Sequence, residues 1–344
     1  RLFEMKQSRP SLDLVTAREN GLPTRWEGAE IPAPEFTGRR TLDAEAVPLE
    51  AIREYIDWTM FFSAWEMKGR YPKILSHPDI GEAAKELFDE GNALLEQMIA
   101  EKLIEPRAVY GFWAANREGD DLIVWDDAAR AKEKLRFHML RQQAVKGGDQ
   151  PYWSLADFLA PAPHEDYLGA FCVTAGLGVA ELVAKYEQDH DDYHAIMVKA
   201  LADRCAEAYA ELLHARVRRE WGYGKDEDLT SEDLIRERYR GIRPAFGYPA
   251  CPDHTEKATL WELLGADEIG VTLTESFAMA PAASVSGIYF SHPESRYFAV
   301  GKLDRDQVAD YAKRKGMSIE EVERWLAPNL AYDPAAKEKA PAAE

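Results

Sequence analysis

The chain has only three cysteines in 344 residues, Cys172, Cys205 and Cys251. They are too few and too scattered for a disulfide framework or a Cys-x-x-Cys metal site, and a reducing, cytoplasmic compartment is expected. No apolar run approaches the length of a membrane span, and the start carries no signal-peptide pattern, which argues against a membrane or secreted protein. Basic charge is also scarce: 42 Lys and Arg stand against 61 Asp and Glu, a net charge of −19. Nucleic acid and acidic membrane surfaces both need a basic face, so neither is an expected partner. There is no internal repeat. Helical and strand-like stretches do not alternate as regular βαβ units, so the pattern predicts an α+β fold, a single domain with an antiparallel sheet flanked by helices and not a Rossmann fold.

What is present is a soluble, globular composition, 46% apolar and 30% charged. Residues 1–45, with Arg9-Pro10, Gly21-Leu-Pro23 and Ile31-Pro-Ala-Pro34, show little helical periodicity and predict an extended linker that wraps the domain. The domain itself is expected over 46–333, with 334–344 a flexible Ala/Lys/Glu/Pro tail, and the chain reads as a piece of a longer protein. Pro48 sits where a first helical residue would, and Leu49, Ile52, Ile56 and Met60 continue at helical spacing towards Pro72. A second helix is predicted over about 80–104, burying Leu87, Leu94, Leu95 and Met98. Residues 108–115 and 121–125 read as a hairpin turning over 116–120, 135–139 and 167–174 as further strands, and 285–290 with 297–301 as a second hairpin. The stretch 179–221 is one bent helix or two in tandem. Two helices close the chain, opened by the capping-box patterns Asp304-x-x-Gln307 and Ser318-x-x-Glu321 and stopped by Gly316 and Pro328.

The stretch from Arg236 to Lys257 has the composition of a rigid ligand loop, with three prolines and two glycines between Gly241 and Pro252. Such a loop holds its shape without regular hydrogen bonding and can present Arg243, a fork for a carboxylate or phosphate, together with Tyr248. Pro244, Gly247, Pro249 and Pro252 set that shape, so replacing Arg243 is expected to change folding little. The alternative is a plain connection between helices whose arginine pairs with a surface carboxylate.

Other motifs carry two readings each. Gly176-Leu-Gly178 begins like a dinucleotide-type glycine loop but lacks a third glycine and a following acidic residue, and reads as an ordinary strand-to-helix turn. His190 and His194 have an i, i+4 metal-ligand spacing, with Asp191 where a zinc protease has its general base. A solvated helix face is the simpler account. Asp57, between Ile56 and Trp58, is either on a wet face or held by a partner. Glu207 and Glu237 pass as surface residues, and Tyr297-Phe298 as the opening of a strand.

The run Arg243-Pro-Ala-Phe-Gly-Tyr-Pro-Ala-Cys-Pro-Asp-His-Thr-Glu-Lys257 decides between these readings by resemblance. With Asp57-Trp-Thr-Met-Phe-Phe, Gly69-Arg-Tyr-Pro, Met197-Val-Lys-Ala-Leu-Ala-Asp-Arg204, Leu273-Thr-Glu-Ser-Phe-Ala-Met279 and Glu323-Arg-Trp-Leu-Ala-Pro-Asn329, it resembles the activation domain of cobalamin-dependent methionine synthase over roughly residues 12–333. The resemblance implies a module, part of a methyltransferase, that binds S-adenosyl-L-methionine as methyl donor for reductive methylation of inactive cob(II)alamin. It implies Asp57, Arg243, Tyr248, Tyr297 and Phe298 as ligand contacts, with Glu207 and Glu237 bordering the same pocket. It names no metal and no catalytic acid or base. Cobalamin is carried by the cobalamin-binding domain of the same parent chain, and a flavodoxin-type partner supplies the electron. The fragment alone is not expected to turn over. The family usually has two tyrosines at 297–298, so Phe298 lacks a hydroxyl. Docking an acidic flavodoxin on a chain of net charge −19 needs a local basic patch, for which Arg216, Arg218 and Arg219 are candidates. Two competing classes are a metal-dependent hydrolase on the His190/His194 pair and a docking module with no small ligand.

Overall fold

The structure, a computed structural model, describes residues 10–27 and 30–335. Most of the tail expected at 334–344 lies outside the described residues. In chain order the N-terminal part forms α1 (Leu14–Glu19), β1 (Gly38–Leu42), α2 (Leu49–Arg53), α3 (Trp58–Ala64) and α4 (Gly81–Ala100). The strands β2 (Glu105–Glu118), β3 (Asp121–Trp125), β4 (Glu133–His138) and β5 (Asp166–Leu177) follow, then α5 (Val179–Gln188), α6 (Asp192–Glu220), α7 (Ser231–Ile235) and α8 (Glu256–Leu264). The chain closes with the two-residue strands β6 (Thr272–Leu273) and β7 (Met279–Ala280), then β8 (Ser284–Tyr289), α9 (Arg305–Lys315) and α10 (Ile319–Trp325).

Five strands run in the order β4-β3-β2-β5-β8, every pair antiparallel, so the expected α+β fold is what forms. One edge of β2 is taken by β5. Its other edge is shared by β1, opposite residues 108–112, and β3, opposite residues 115–118. Alternate residues of β2 and β5 supply two separate cores. Tyr110, Phe112, Phe171 and Val173 face a layer built from α2, α3, α4 and α6, whereas Val109, Trp113, Ala170 and Cys172 face α8 and the loop around Phe246. Both faces are covered, which is why these strands read as continuous apolar runs instead of alternating ones.

Helix α6 is the longest element, and alanine makes its close approach possible. Ala202, Ala206 and Ala210 are buried among Leu201, Cys205 and Leu213, so small side chains bring the helix backbone near its neighbours. The expected break near 189–192 is present, with α5 ending at Gln188 and Asp191 capping α6. In α4, Leu87, Leu94, Leu95 and Met98 form the buried stripe as predicted.

Several expectations are corrected. The segment 1–45 is not only a linker: Asp13 caps α1 by accepting from the Thr16 N–H, and β1 is hydrogen-bonded into the sheet. The helix expected from Pro48 through Met60 is two helices, because Pro48 caps α2 from outside and Asp57 ends the gap by capping α3. The first hairpin turns at Gly119-Asp120, leaving Asn116 inside β2, where its side-chain amide donates to the Ala160 and His164 carbonyls. The second hairpin does not form: 285–290 contributes β8, but 297–301 is irregular and is held by Val300 N–H donating to the Pro249 carbonyl. Gln307 does not complete a capping box either. Its amide is drawn 166 residues away, donating to the Arg141 carbonyl while its carbonyl oxygen accepts from the Arg141 N–H.

Candidate functional site

A cavity of about 680 Å³ opens where the α2–α3 junction, α6, the α7 segment and the proline-rich loop meet. The loop is seated by two close approaches. Gly241 has φ +88°, and a Cβ there would lie 2.6 Å from the Phe290 carbonyl oxygen; at Gly287 of β8 a Cβ would lie 2.4 Å from the Pro244 carbonyl oxygen. No larger residue fits either position without moving backbone. Ile242 and Phe290 exchange backbone hydrogen bonds at 3.1 Å, and the Ile288 N–H donates to the Pro244 carbonyl at 3.0 Å, so the loop start is an extension of the sheet.

Five of the seven expected ligand contacts line this cavity: Asp57, Glu207, Glu237, Arg243 and Tyr248. Asp57 sits at the α3 N-terminus, where Oδ1 accepts from the Thr59 N–H at 2.9 Å. The residue is half-buried and caps a helix, with one carboxylate oxygen left over. Glu207 projects from α6 in the stripe Arg204, Glu207, Glu211, the i, i+3, i+7 spacing of one helix face. Its side chain is exposed at the cavity mouth, with protein crowded behind it. Desolvation raises its pKa, with the Arg204 and Arg243 guanidiniums opposing. Glu237 follows α7 in a left-handed conformation, φ +52°, and desolvation raises its pKa as well. Tyr248 stands at the mouth, 62% exposed. In all, five carboxylates, those of Glu54, Asp57, Glu207, Glu211 and Glu237, line the cavity against the two guanidiniums of Arg204 and Arg243. The cavity wall therefore carries an excess of acidic groups, with the Arg204 and Arg243 guanidiniums set among them.

The other two expected contacts lie elsewhere. Tyr297 does not line the cavity; its hydroxyl accepts from the Arg243 backbone N–H at 3.0 Å, bracing the loop from the side. Phe298 turns away, edge-on to Trp153 at 5.6 Å and to Phe158 at 6.4 Å. Because 297–301 is not a strand, the two neighbours are not placed by a sheet face.

Arg243 is less free than a loop arginine would be. Nη2 donates to Glu211 Oε2 at 2.6 Å, and Nη1 to the Tyr239 hydroxyl at 2.7 Å and to His214 Nδ1 at 3.1 Å. Burial opposes its charge, yet the Glu211 carboxylate holds its pKa above the ordinary arginine value. These three partners were not foreseen. The signal for two of them was the continuation of the α6 stripe through Glu211 and His214 in an otherwise alanine-rich helix.

Residues 48–316 match the family described as vitamin B12 dependent methionine synthase, activation domain. The chain belongs to this family. A crystal structure of the MetH reactivation domain bound to AdoHcy is 52% identical, with a TM-score of 0.91 over 94% of this chain and 100% of that one.

Within this activation domain the second half of the signature is an anchor. Asp253 and Glu256 both accept from Lys315 of α9, at 2.8 and 2.6 Å, Asp253 also accepts from the Tyr311 hydroxyl, and Lys257 donates to the Phe277 carbonyl. Only the first half, with Arg243 and Tyr248, reaches the cavity. Gly178, φ +89°, precedes α5 as a turn glycine. The histidine pair does not share a helix face: His190 is in the turn before α6, φ +56°, while His194 lies inside α6 with Nδ1 2.7 Å from Asp191 Oδ2. Among the described residues no group of three or more His, Cys, Asp or Glu is placed to hold a metal ion. The basic patch expected at 216–219 also fails. Arg218 is fully buried and paired with Glu227, and Arg216 is paired with Glu220, which leaves Arg219 alone at the surface. All three cysteines are free and buried, and none of the described helices is long and apolar enough to cross a membrane.

Proposed function

We propose that the cavity binds S-adenosyl-L-methionine by its amino-acid end, and that the chain presents this ligand to a cobalamin held by another domain of the same parent protein. The observation that carries the reading is the donor count on Arg243. A guanidinium has five N–H groups, and three are taken by Glu211, Tyr239 and His214. Nε–H and one hydrogen of Nη2 remain, the side edge of the fork, and this edge matches a carboxylate bidentately. The surrounding carboxylates suit the ligand's ammonium and sulfonium, with Asp57 and Glu207 the groups assigned to them. Tyr248 at the mouth offers a ring face to the adenine. The cavity volume falls in the range of small-molecule sites.

The ligand, when bound, supplies the methyl group, and a flavodoxin-type partner is assigned the electron that reduces inactive cob(II)alamin. The part played by this chain is binding and orientation, so no residue is given the role of acid or base. Tyr297 acts one step back by holding the Arg243 backbone, and Phe298 by packing the segment behind it. The chain is part of a methyltransferase and by itself is expected to form no methionine from homocysteine and methyltetrahydrofolate. The cytoplasm is its expected compartment.

The test is titration calorimetry of the purified chain with S-adenosylmethionine and with S-adenosylhomocysteine. Saturable one-to-one binding of both supports the reading. Absence of heat with either ligand, on a chain whose melting curve is cooperative, would refute it and leave the docking module with no small ligand.

A further inference from the structure

A lone arginine at a cavity wall rotates about several bonds and presents its donors in many directions. Arg243 does not. Three acceptors from two parts of the chain take the hydrogens on one side of the guanidinium. Glu211 and His214, three residues apart on α6, share a helix face, and Tyr239 lies four residues before Arg243 itself.

The chemistry of the bracket is specific. A guanidinium carries no lone pair, so His214 Nδ1 must accept and the ring proton must sit on Nε2. The imidazole is therefore neutral. Its burial and the nearby Arg243 and Arg218 charges act in the same direction, holding its pKa well below the ordinary histidine value. The ring cannot turn away, because it is stacked on Tyr289 of β8 at 5.1 Å and 20° and meets Tyr239 edge-on at 4.9 Å and 83°. Glu211 uses one oxygen on one Nη2 hydrogen and does not chelate the fork. An acid that chelated it would fill the edge a ligand needs.

We propose that Glu211, His214 and Tyr239 are positioning residues that fix the rotation of Arg243, so that its Nε and Nη2 edge faces the carboxylate of the bound ligand. The inference rests on the function proposed above and adds to it the residues that set specificity for the amino-acid end. Their contribution is preorganisation, since a fork already aligned loses less freedom on binding.

Two ligands separate this role from general support of the fold. S-adenosylhomocysteine has the carboxylate, and 5′-methylthioadenosine keeps the nucleoside and sulfur but has no amino-acid end. His214→Phe retains a ring to stack on Tyr289 and removes the acceptor, and Glu211→Gln keeps an acceptor and removes the charge. In calorimetry each is expected to weaken S-adenosylhomocysteine binding by about tenfold, the scale of one hydrogen bond in or out of register, with 5′-methylthioadenosine binding unchanged. His214→Asn, whose side-chain oxygen stands near the place of Nδ1, should recover part of the loss. Equal losses for both ligands, or no loss of S-adenosylhomocysteine affinity in either variant, overturn the proposal. A second readout does not need the weaker ligand: Glu211→Gln combined with Arg243→Lys should cost less S-adenosylhomocysteine affinity than the two single losses added, since both act through one group. Additive losses also overturn it. A wild-type chain that fails to bind S-adenosylhomocysteine overturns the proposed function instead, so the two failures are told apart.

Discussion

Arg243→Lys tests the site most directly, and the structure changes what it should do. Lysine keeps the positive charge and can still reach a carboxylate, but its single ammonium cannot offer two parallel donors to a ligand while serving Glu211, Tyr239 and His214. The lost charge-assisted fork is worth about 1.5–3 kcal/mol, roughly tenfold to a hundredfold in affinity. Folding does not stay untouched, contrary to what the proline-rich loop alone suggests. The Arg243 side chain is 17% exposed and pairs with a Glu211 side chain that is 14% exposed. Lysine should give up one or two of the three internal bonds, at about 1 kcal/mol each, and lower the melting temperature by a few degrees. Arg243→Ala should cost more than lysine in stability, about 3 kcal/mol, because Glu211 is left without its cation in a largely buried place. The assay is calorimetric titration of both variants with S-adenosylhomocysteine, run beside melting curves, at a temperature where each variant is fully folded. Wild-type affinity in Arg243→Lys would remove the bidentate contact. An unchanged melting curve in Arg243→Ala would remove the structural role drawn from its partners.

Glu207 should make binding sensitive to acid. Its pKa is raised above the ordinary 4.5, so on lowering the pH its attraction for the ligand ammonium fades earlier than an ordinary glutamate's would. Affinity should fall as the pH drops towards that range, and Glu207→Gln should be weaker at neutral pH with a flatter profile; parallel profiles would take Glu207 out of the site. Phe298→Tyr adds a hydroxyl to a ring that packs against Trp153 and Phe158. It should change S-adenosylhomocysteine affinity by less than about twofold, an energy well below one hydrogen bond, and a large gain would mean that residue 298 reaches the ligand after all. A chelator should alter neither melting temperature nor ligand affinity, because His190 and His194 do not share a helix face. A chelator-dependent drop in melting temperature would revive the metal reading.

The amino-acid sequence by itself determined the fold class, the central strands, the apolar stripe of α4 and the tandem helices α5 and α6, and its motifs carried the family. Those features depend on periodicity and on turn residues, which report the burial of each position relative to its near neighbours. Only the tertiary structure decided what the polar residues do. Asp57 stands in a helical rhythm but caps α3, because the chain must turn there to bring α2 and α3 onto α6. Tyr297 reads as a strand residue, yet its hydroxyl is claimed by a backbone N–H 54 residues away. Arg218 sits in a basic run and is buried, and Asp253 sits in a ligand signature and holds a lysine 62 residues further on. A hydrogen bond is directional and short, so its partner is chosen by where distant segments come to rest, and no spacing along the chain records that choice.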